Sequence, residues 1–290
     1  MKAPNFSYTK PHTIQDAIEI LARHEGAAVP MAGGQSLLAG LNMRLSAPDV
    51  IVDLTGLDEL KGIFLHDDII RIGALTRHVD LLRSTEVADA APLIAKAIRY
   101  VAHMAVRNRG TIGGSVAYAD PSAELPACIV ALGATVLIAG PDGERRLAAE
   151  NFFHGLFETD LQVGEIIVGF EIPRIRANQR WAFTELSRRR GDFAMAGLAA
   201  LLDMSGDMVT DARLVYFGCT DYPRLAAAMA AALRGTSLPL ADKQWIHDTL
   251  PQDVQPSPSV GMRPDTKLKL AVAVTEDFLA DLSQPRAAGG

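Results

Sequence analysis

The stretch RNRGTIGGSVAYADPSAELP at 107–126 constrains the fold more than any other part of the chain. A β-branched pair, Thr111-Ile112, leads into Gly113, Gly114 and Ser115, and a polar turn with Asp120, Pro121 and Glu124 follows. Glycines let backbone approach a bound group at distances a Cβ would block, and they accept φ > 0 without steric penalty. With the hydroxyls of Thr111 and Ser115 beside them, they make a donor-rich loop of little bulk, which suits a phosphate or pyrophosphate. The plain alternative is a tight turn with a helix cap, because glycine pairs are common turn punctuation. A second stretch of the same kind, MAGGQSLL at 31–38, favours the ligand. Two such pairs, each beside an expected strand, can face each other across one elongated molecule.

Composition narrows the function classes. At 290 residues and 49% hydrophobic content, the chain can build one large domain or two ordinary ones with real cores. A formal charge of −6 and a pI near 5.6 provide no basic surface for nucleic acid. Cys128 lies inside an apolar segment and Cys219 follows an expected strand, a spacing that fits no metal site or CxxC motif. They read as core thiols in a reducing compartment, with a disulfide as the alternative. An iron–sulfur cluster needs about four thiolates, so the chain carries none of its own. The N-terminus lacks an apolar signal core and no apolar run reaches the ~18 residues of a membrane span, which makes the expected location the cytoplasm.

Hydrophobic periodicity orders the rest. A strand at 6–8 precedes a helix capped near Thr13, whose apolar face is Ile14, Ala17, Ile18 and Leu21. A strand at 27–31 then runs straight into Gly33-Gly34. That order differs from a Rossmann fingerprint, in which G-x-G-x-x-G follows the first strand and opens a helix. Helical spacing over 35–45 assigns Leu37, Leu38, Leu41 and Leu45 to the core; Arg44 reads as a surface arginine, with a phosphate contact as the alternative. Strands follow at 50–54, 62–65, 69–73, 134–139 and 165–172, with helices near 76–84, 92–102 and 125–132. His78 reads as a helix-face histidine, and His103 has no spaced Cys, Asp or Glu to support a metal. Beyond Pro173 a basic segment at 174–180 marks a boundary. Strands at 181–187, 198–204 and 211–217 form an antiparallel meander, with helices expected over 224–233, 242–249 and 267–282 and a disordered tail at 284–290. Such alternation indicates an α+β or α/β chain.

Four motifs in order, MAGGQSLL at 31–38, RNRGTIGGSVAYADPSAELPA at 107–127, GEIIVGFEIP at 164–173 and SRRRGDFAMAG at 187–197, resemble the FAD-binding medium subunit of molybdenum hydroxylases. This is the carbon monoxide dehydrogenase, xanthine dehydrogenase and nicotine dehydrogenase group, and the resemblance covers nearly the whole chain. It implies an α+β protein: a vanillyl-alcohol-oxidase-type (PCMH-type) FAD-binding domain over 1–175, in two α/β subdomains near 1–56 and 57–175, then a smaller C-terminal domain over 176–283 with an antiparallel sheet and helices. By the same matching Met31, Ala32, Gly33, Gly34, Gln35, Ser36 and Leu37 form one wall of the FAD site, and Val101, Thr111, Gly113, Gly114 and Ser115 the other. Glu124 would bond the adenosine or ribityl side, Ile167 would contact the adenine, and Phe193 would lie near the isoalloxazine. Many relatives have His or Asn at position 35, Asn at 115, Tyr at 193 and a lysine near 184–185, where this chain has Gln35, Ser115, Phe193 and Thr184-Glu185. Arg188, Arg189 and Arg190 are a substitute source of positive charge for reduced flavin, with ordinary surface charge as the alternative.

The resemblance further implies an electron-transfer subunit with no catalytic or metal-ligating residue of its own. A large partner would hold a molybdopterin-type molybdenum cofactor, and a small partner two 2Fe-2S clusters that pass electrons to the FAD and on to an external acceptor. The assembly would be a dimer of heterotrimers. A free-standing FAD-dependent oxidoreductase with its own substrate is the alternative.

Overall fold

The computed structural model describes residues 2–240, 243–258 and 261–283; the expected tail at 284–290 lies outside them. The N-terminal unit is a three-stranded parallel sheet in which Val50–Asp53 runs between Ser7–Thr9 and Ala28–Met31. Its central strand is buried at every position, as the unbroken β-branched run requires of a strand covered on both faces. Helix Ile14–Arg23 buries Ala17, Ile18 and Leu21, and the Thr13 hydroxyl accepts the Asp16 amide at 3.0 Å. Thr13→Ala should cost about 1 kcal/mol, read as a fall of about 2 °C in Tm with cofactor content unchanged.

The second unit is a five-stranded sheet ordered Ile63–Leu65, Ile69–Gly73, Ile166–Pro173, Thr135–Gly140, Gly143–Ala148, antiparallel throughout. Short connections at 66–68 and 141–142 permit only antiparallel neighbours, while the helical run from His78 to Ala131 carries the chain between the sheet's two halves. A bulge between Ile167 and Gly169 interrupts the central strand, a device that re-aims side chains locally.

The third unit is the meander Gln179–Leu186, Ala196–Ser205, Met208–Phe217. Its middle strand sends Ala199 and Leu201 into one core and Leu198, Ala200 and Leu202 into another. Period-two alternation with both faces covered explains the continuous apolar sequence. One face meets helix Glu124–Ala131, whose eight residues are all buried, so the first core runs across the domain boundary and takes in Phe183, Val215 and Phe217. The other face packs on helix Pro264–Ser283. Pro251 sits inside helix Gln244–Asp253 rather than ending it. Cys128 and Cys219 are buried free thiols.

Of the four leucines assigned to the core at 35–45, only Leu41 is buried; Leu38 and Leu45 are exposed and Leu37 lines a cleft. The helix there, Leu37–Asn42, is too short to turn a whole apolar face inward. Arg44 bonds the Lys2 carbonyl at the surface and does not line the cleft.

Candidate functional site

Strand Ala28–Met31 ends at the first glycine pair, which crosses the backbone leading into the second. A Cβ built on Gly33 would stand 2.1 Å from the Arg109 carbonyl oxygen and 2.8 Å from Gly110 Cα. Gly34 is left-handed at φ +70, and Gln35 Nε2 donates to the Gly33 carbonyl at 3.1 Å to close the loop. Among the described residues, no internal acceptor takes the amides of Gly33, Gly34, Gln35 or Ser36. Four adjacent free N–H groups on a side-chain-poor turn are a concave donor surface for an anion.

The second pair differs from the expected loop. Thr111 caps helix Ile112–Tyr118, so both glycines lie in its first turn. Their amides are already used: Ile112 donates to the Thr76 carbonyl, Gly113 to that of Ala74 at 2.8 Å, Gly114 to Thr111 Oγ1 at 3.1 Å and Ser115 to the Thr111 carbonyl. These glycines therefore act by lacking bulk. A Cβ on Gly113 would meet Ala74 at 2.7 Å, while one on Gly114 would meet the capping Thr111 Oγ1 at 3.0 Å and Ala32 Cβ at 3.5 Å.

Together the two segments frame one cleft of about 1150 Å³, above the ~300–1,000 Å³ common for small-molecule pockets. All of the sequence-derived candidates line it: Met31 to Leu37, Val101, Thr111, Gly113, Gly114, Ser115, Glu124, Ile167 and Phe193. Ile167 stands at the bulge of the central strand, and Phe193 is 72% exposed at the C-terminal-domain side. The cleft offers free amides and small polar side chains at one part and Met31, Leu37, Val101, Ile167 and Phe193 elsewhere, a donor set that fits a dinucleotide with one flat apolar end.

The lining also takes in His78, read from sequence as a helix-face histidine, Arg188, read as a substitute source of charge for the flavin, and residues such as Tyr118 and Lys267 that the sequence left unassigned. His78 is buried, and burial, only partly offset by a backbone hydrogen bond at Thr111, holds its pKa down to about 4, so the ring is neutral. His103 lines the cleft as well; Arg189 and Arg190 do not. Burial, then the Glu185 charge, pushes the Glu124 carboxyl up to about 8, and burial pushes Glu185 up to about 7. A second cavity, of about 590 Å³, holds Arg174, Arg176 and Arg213. Those arginines already bond the Asp67 carbonyl, Asp203 and Glu150 respectively, which leaves it little ligand chemistry. Among the described residues no group of His, Cys, Asp and Glu is arranged for a metal, and no helix is long and apolar enough to cross a membrane.

Residues 4–175 match the family described as FAD binding domain in molybdopterin dehydrogenase, and residues 181–282 the CO dehydrogenase flavoprotein C-terminal domain. The chain belongs to this family of FAD-binding medium subunits. Among solved structures the medium subunit superposes on carbon monoxide dehydrogenase from Hydrogenophaga pseudoflava with TM-score 0.94 and 32% identity, covering 97% of this chain and 98% of that one. Quinoline 2-oxidoreductase from Pseudomonas putida 86 gives TM-score 0.90 and 36% identity over 98% and 99% of the two chains. Caffeine dehydrogenase subunit beta of a Pseudomonas species is 33% identical over 97% of this chain and 95% of its own length. The medium subunit is thus an FAD-binding component of a molybdenum-containing, multi-subunit oxidoreductase. Its fold, an FAD-binding domain followed by a C-terminal domain with an antiparallel sheet, is the one the motifs imply.

Proposed function

We propose that the cleft holds FAD with its diphosphate on the free amides of Gly33 to Ser36, opposite the bulk-free face of Gly113 and Gly114. The adenosine or ribityl side then lies toward Glu124, the adenine at Ile167 and the isoalloxazine near Phe193. The observation that carries this placement is the coincidence of four unspent amides with a crossing that only glycine permits. FAD, when bound, takes electrons singly and releases them in pairs. This chain's residues bind the cofactor, place it and set its surroundings.

Electrons reach this cofactor from two 2Fe-2S clusters of a small partner subunit, after hydroxylation at a molybdopterin-type molybdenum cofactor in a large one, and leave to an external acceptor. The complex is a dimer of heterotrimers in the cytoplasm. Two buried free thiols suit a reducing compartment. The test is to purify the chain alone and with its partners, and to assay both with heterocycles, aldehydes and carbon monoxide. The complex is expected to show a flavin spectrum and turnover, and the isolated chain flavin with no substrate oxidation. Robust oxidation by the isolated chain would instead identify a free-standing oxidoreductase.

A further inference from the structure

One wall of the cleft stands apart from the three main sheets. Strands Phe153–Gly155 and Glu158–Thr159 form a two-stranded sheet of their own, and the chain from their turn onward supplies Leu156, Leu161, Glu165, Ile166 and Ile167 to the lining. A lone hairpin is marginal in water. Phe153 anchors the root of this one in the first core, but its tip hides little apolar surface, with Leu156 60% and Phe157 51% exposed. Its position must therefore come from polar ties and from contacts with neighbouring elements.

Arg145 supplies the tie. It sits on the edge strand Gly143–Ala148, paired with Ile138, and spends four N–H bonds on the returning arm of the hairpin. Nε and Nη2 donate to the two Glu165 carboxylate oxygens at 2.7 Å each, Nη1 donates to Asp160 Oδ2 at 2.7 Å, and Nη2 donates to the Asp160 carbonyl at 2.9 Å. The arm is also tied to itself, since the Gln162 amide donates to Glu165 Oε2 at 2.7 Å and Gln162 Nε2 to the Asp160 carbonyl at 2.9 Å. Isolated surface ion pairs contribute little, whereas a bidentate arginine fork within a network fixes geometry. The Glu165 side chain is only 11% exposed and belongs to the cleft wall, so the fork also cancels a carboxylate charge beside the space for an anionic ligand.

At the tip, Phe157 adopts a left-handed conformation, φ +57, that bulky residues rarely take. Its ring packs edge-on against Tyr118 with centroids 5.2 Å apart, and Tyr118 ends helix Ile112–Tyr118, whose first turn holds Gly113 and Gly114. The hairpin is thus fastened at its base to the five-stranded sheet and at its tip to the glycine helix.

We propose that Arg145 is a positioning residue for the cofactor, holding the 153–165 hairpin as a clasp over the adenine half of FAD. This rests on the placement of the adenine at Ile167 given above. Arg145 does not itself line the cleft. It acts by presenting Leu156 and Leu161 in place before the ligand arrives, which removes the cost of ordering them from association. The clasp therefore favours ligands that carry the adenosine moiety over those with the flavin half alone.

The experiment measures, by calorimetry, the Kd of the full-length apoprotein for FAD, ADP and FMN. Arg145→Met removes the guanidinium and keeps the stem; it is expected to weaken FAD and ADP about tenfold and to leave FMN unchanged, the FMN constant serving as the check on folding. Phe157→Ala, at an exposed tip, should weaken the same two ligands about threefold. Arg146→Met is the control, because its ion pair with Glu171 lies on the same strand but outside the cleft, and all three constants should hold. Equal losses for all three ligands in Arg145→Met would make the residue a general brace, and three unchanged constants would mean that no clasp exists; either result overturns the proposal. A loss confined to FAD and FMN, with ADP unchanged, would put the flavin half under the hairpin and overturn the cofactor orientation instead.

Discussion

Gly33→Ala is expected to yield a colourless protein. The added Cβ would overlap the Arg109 carbonyl oxygen at 2.1 Å and the Gly110 Cα at 2.8 Å, and both obstacles are backbone, with no flexible side chain to yield. Either the 33–34 turn or the 109–110 segment must shift, and both border the cleft. Overpacking that displaces backbone costs about 3 kcal/mol, which corresponds to more than a hundredfold in FAD affinity when it falls on the binding loop. Gly40→Ala is the control. Its Cβ would enter open space on helix Leu37–Asn42, where alanine is the better helix former, so that variant should stay yellow with unchanged or slightly raised Tm. Flavin content measured by the visible spectrum decides the matter, and a Gly33→Ala protein with full occupancy would remove the first glycine turn from the site.

Phe183→Ala should destabilise both domains at once. The ring is 3% exposed and sits between Tyr100 of the FAD-binding domain, with centroids 5.1 Å apart, and Phe217 of the meander at 5.5 Å. Phe217 is itself held against Gly197, where a Cβ would come within 2.1 Å of the ring. Truncating a buried phenylalanine costs about 3–5 kcal/mol, so Tm should fall by about 10 °C in a single transition. Calorimetry showing two transitions, with only the C-terminal one displaced, would mean that the shared core does not couple the domains.

The parts of this molecule visible in the primary structure are those governed by neighbours along the chain. Thr13 and the run Ile14, Ala17, Ile18, Leu21 specify a capped helix because cap and apolar face recur within a turn or two. The glycine pairs were visible as positions of low bulk, and that lack of bulk is a property of the residue itself. The same reasoning failed on Leu38 and Leu45, whose helical spacing was sound but whose helix ends too early to bury them. It also could not tell the two glycine pairs apart, because the amides of Gly113 and Gly114 are taken by Ala74 and Thr111 while those of Gly33 and Gly34 are free.

What folding alone decided is which distant groups meet. Nothing in the spacing of His78, Glu124, Arg188 or Lys267 brings them to one cleft; the crossing of Gly33 over Arg109 and the docking of the meander on helix Glu124–Ala131 do so. Whether a carboxyl ionises or an amide is free depends on burial and on partners far away in the chain. Local pattern therefore determined the elements and pointed to the ligand class, and tertiary packing determined which carboxyls are buried and which amides stay unspent in the proposed site.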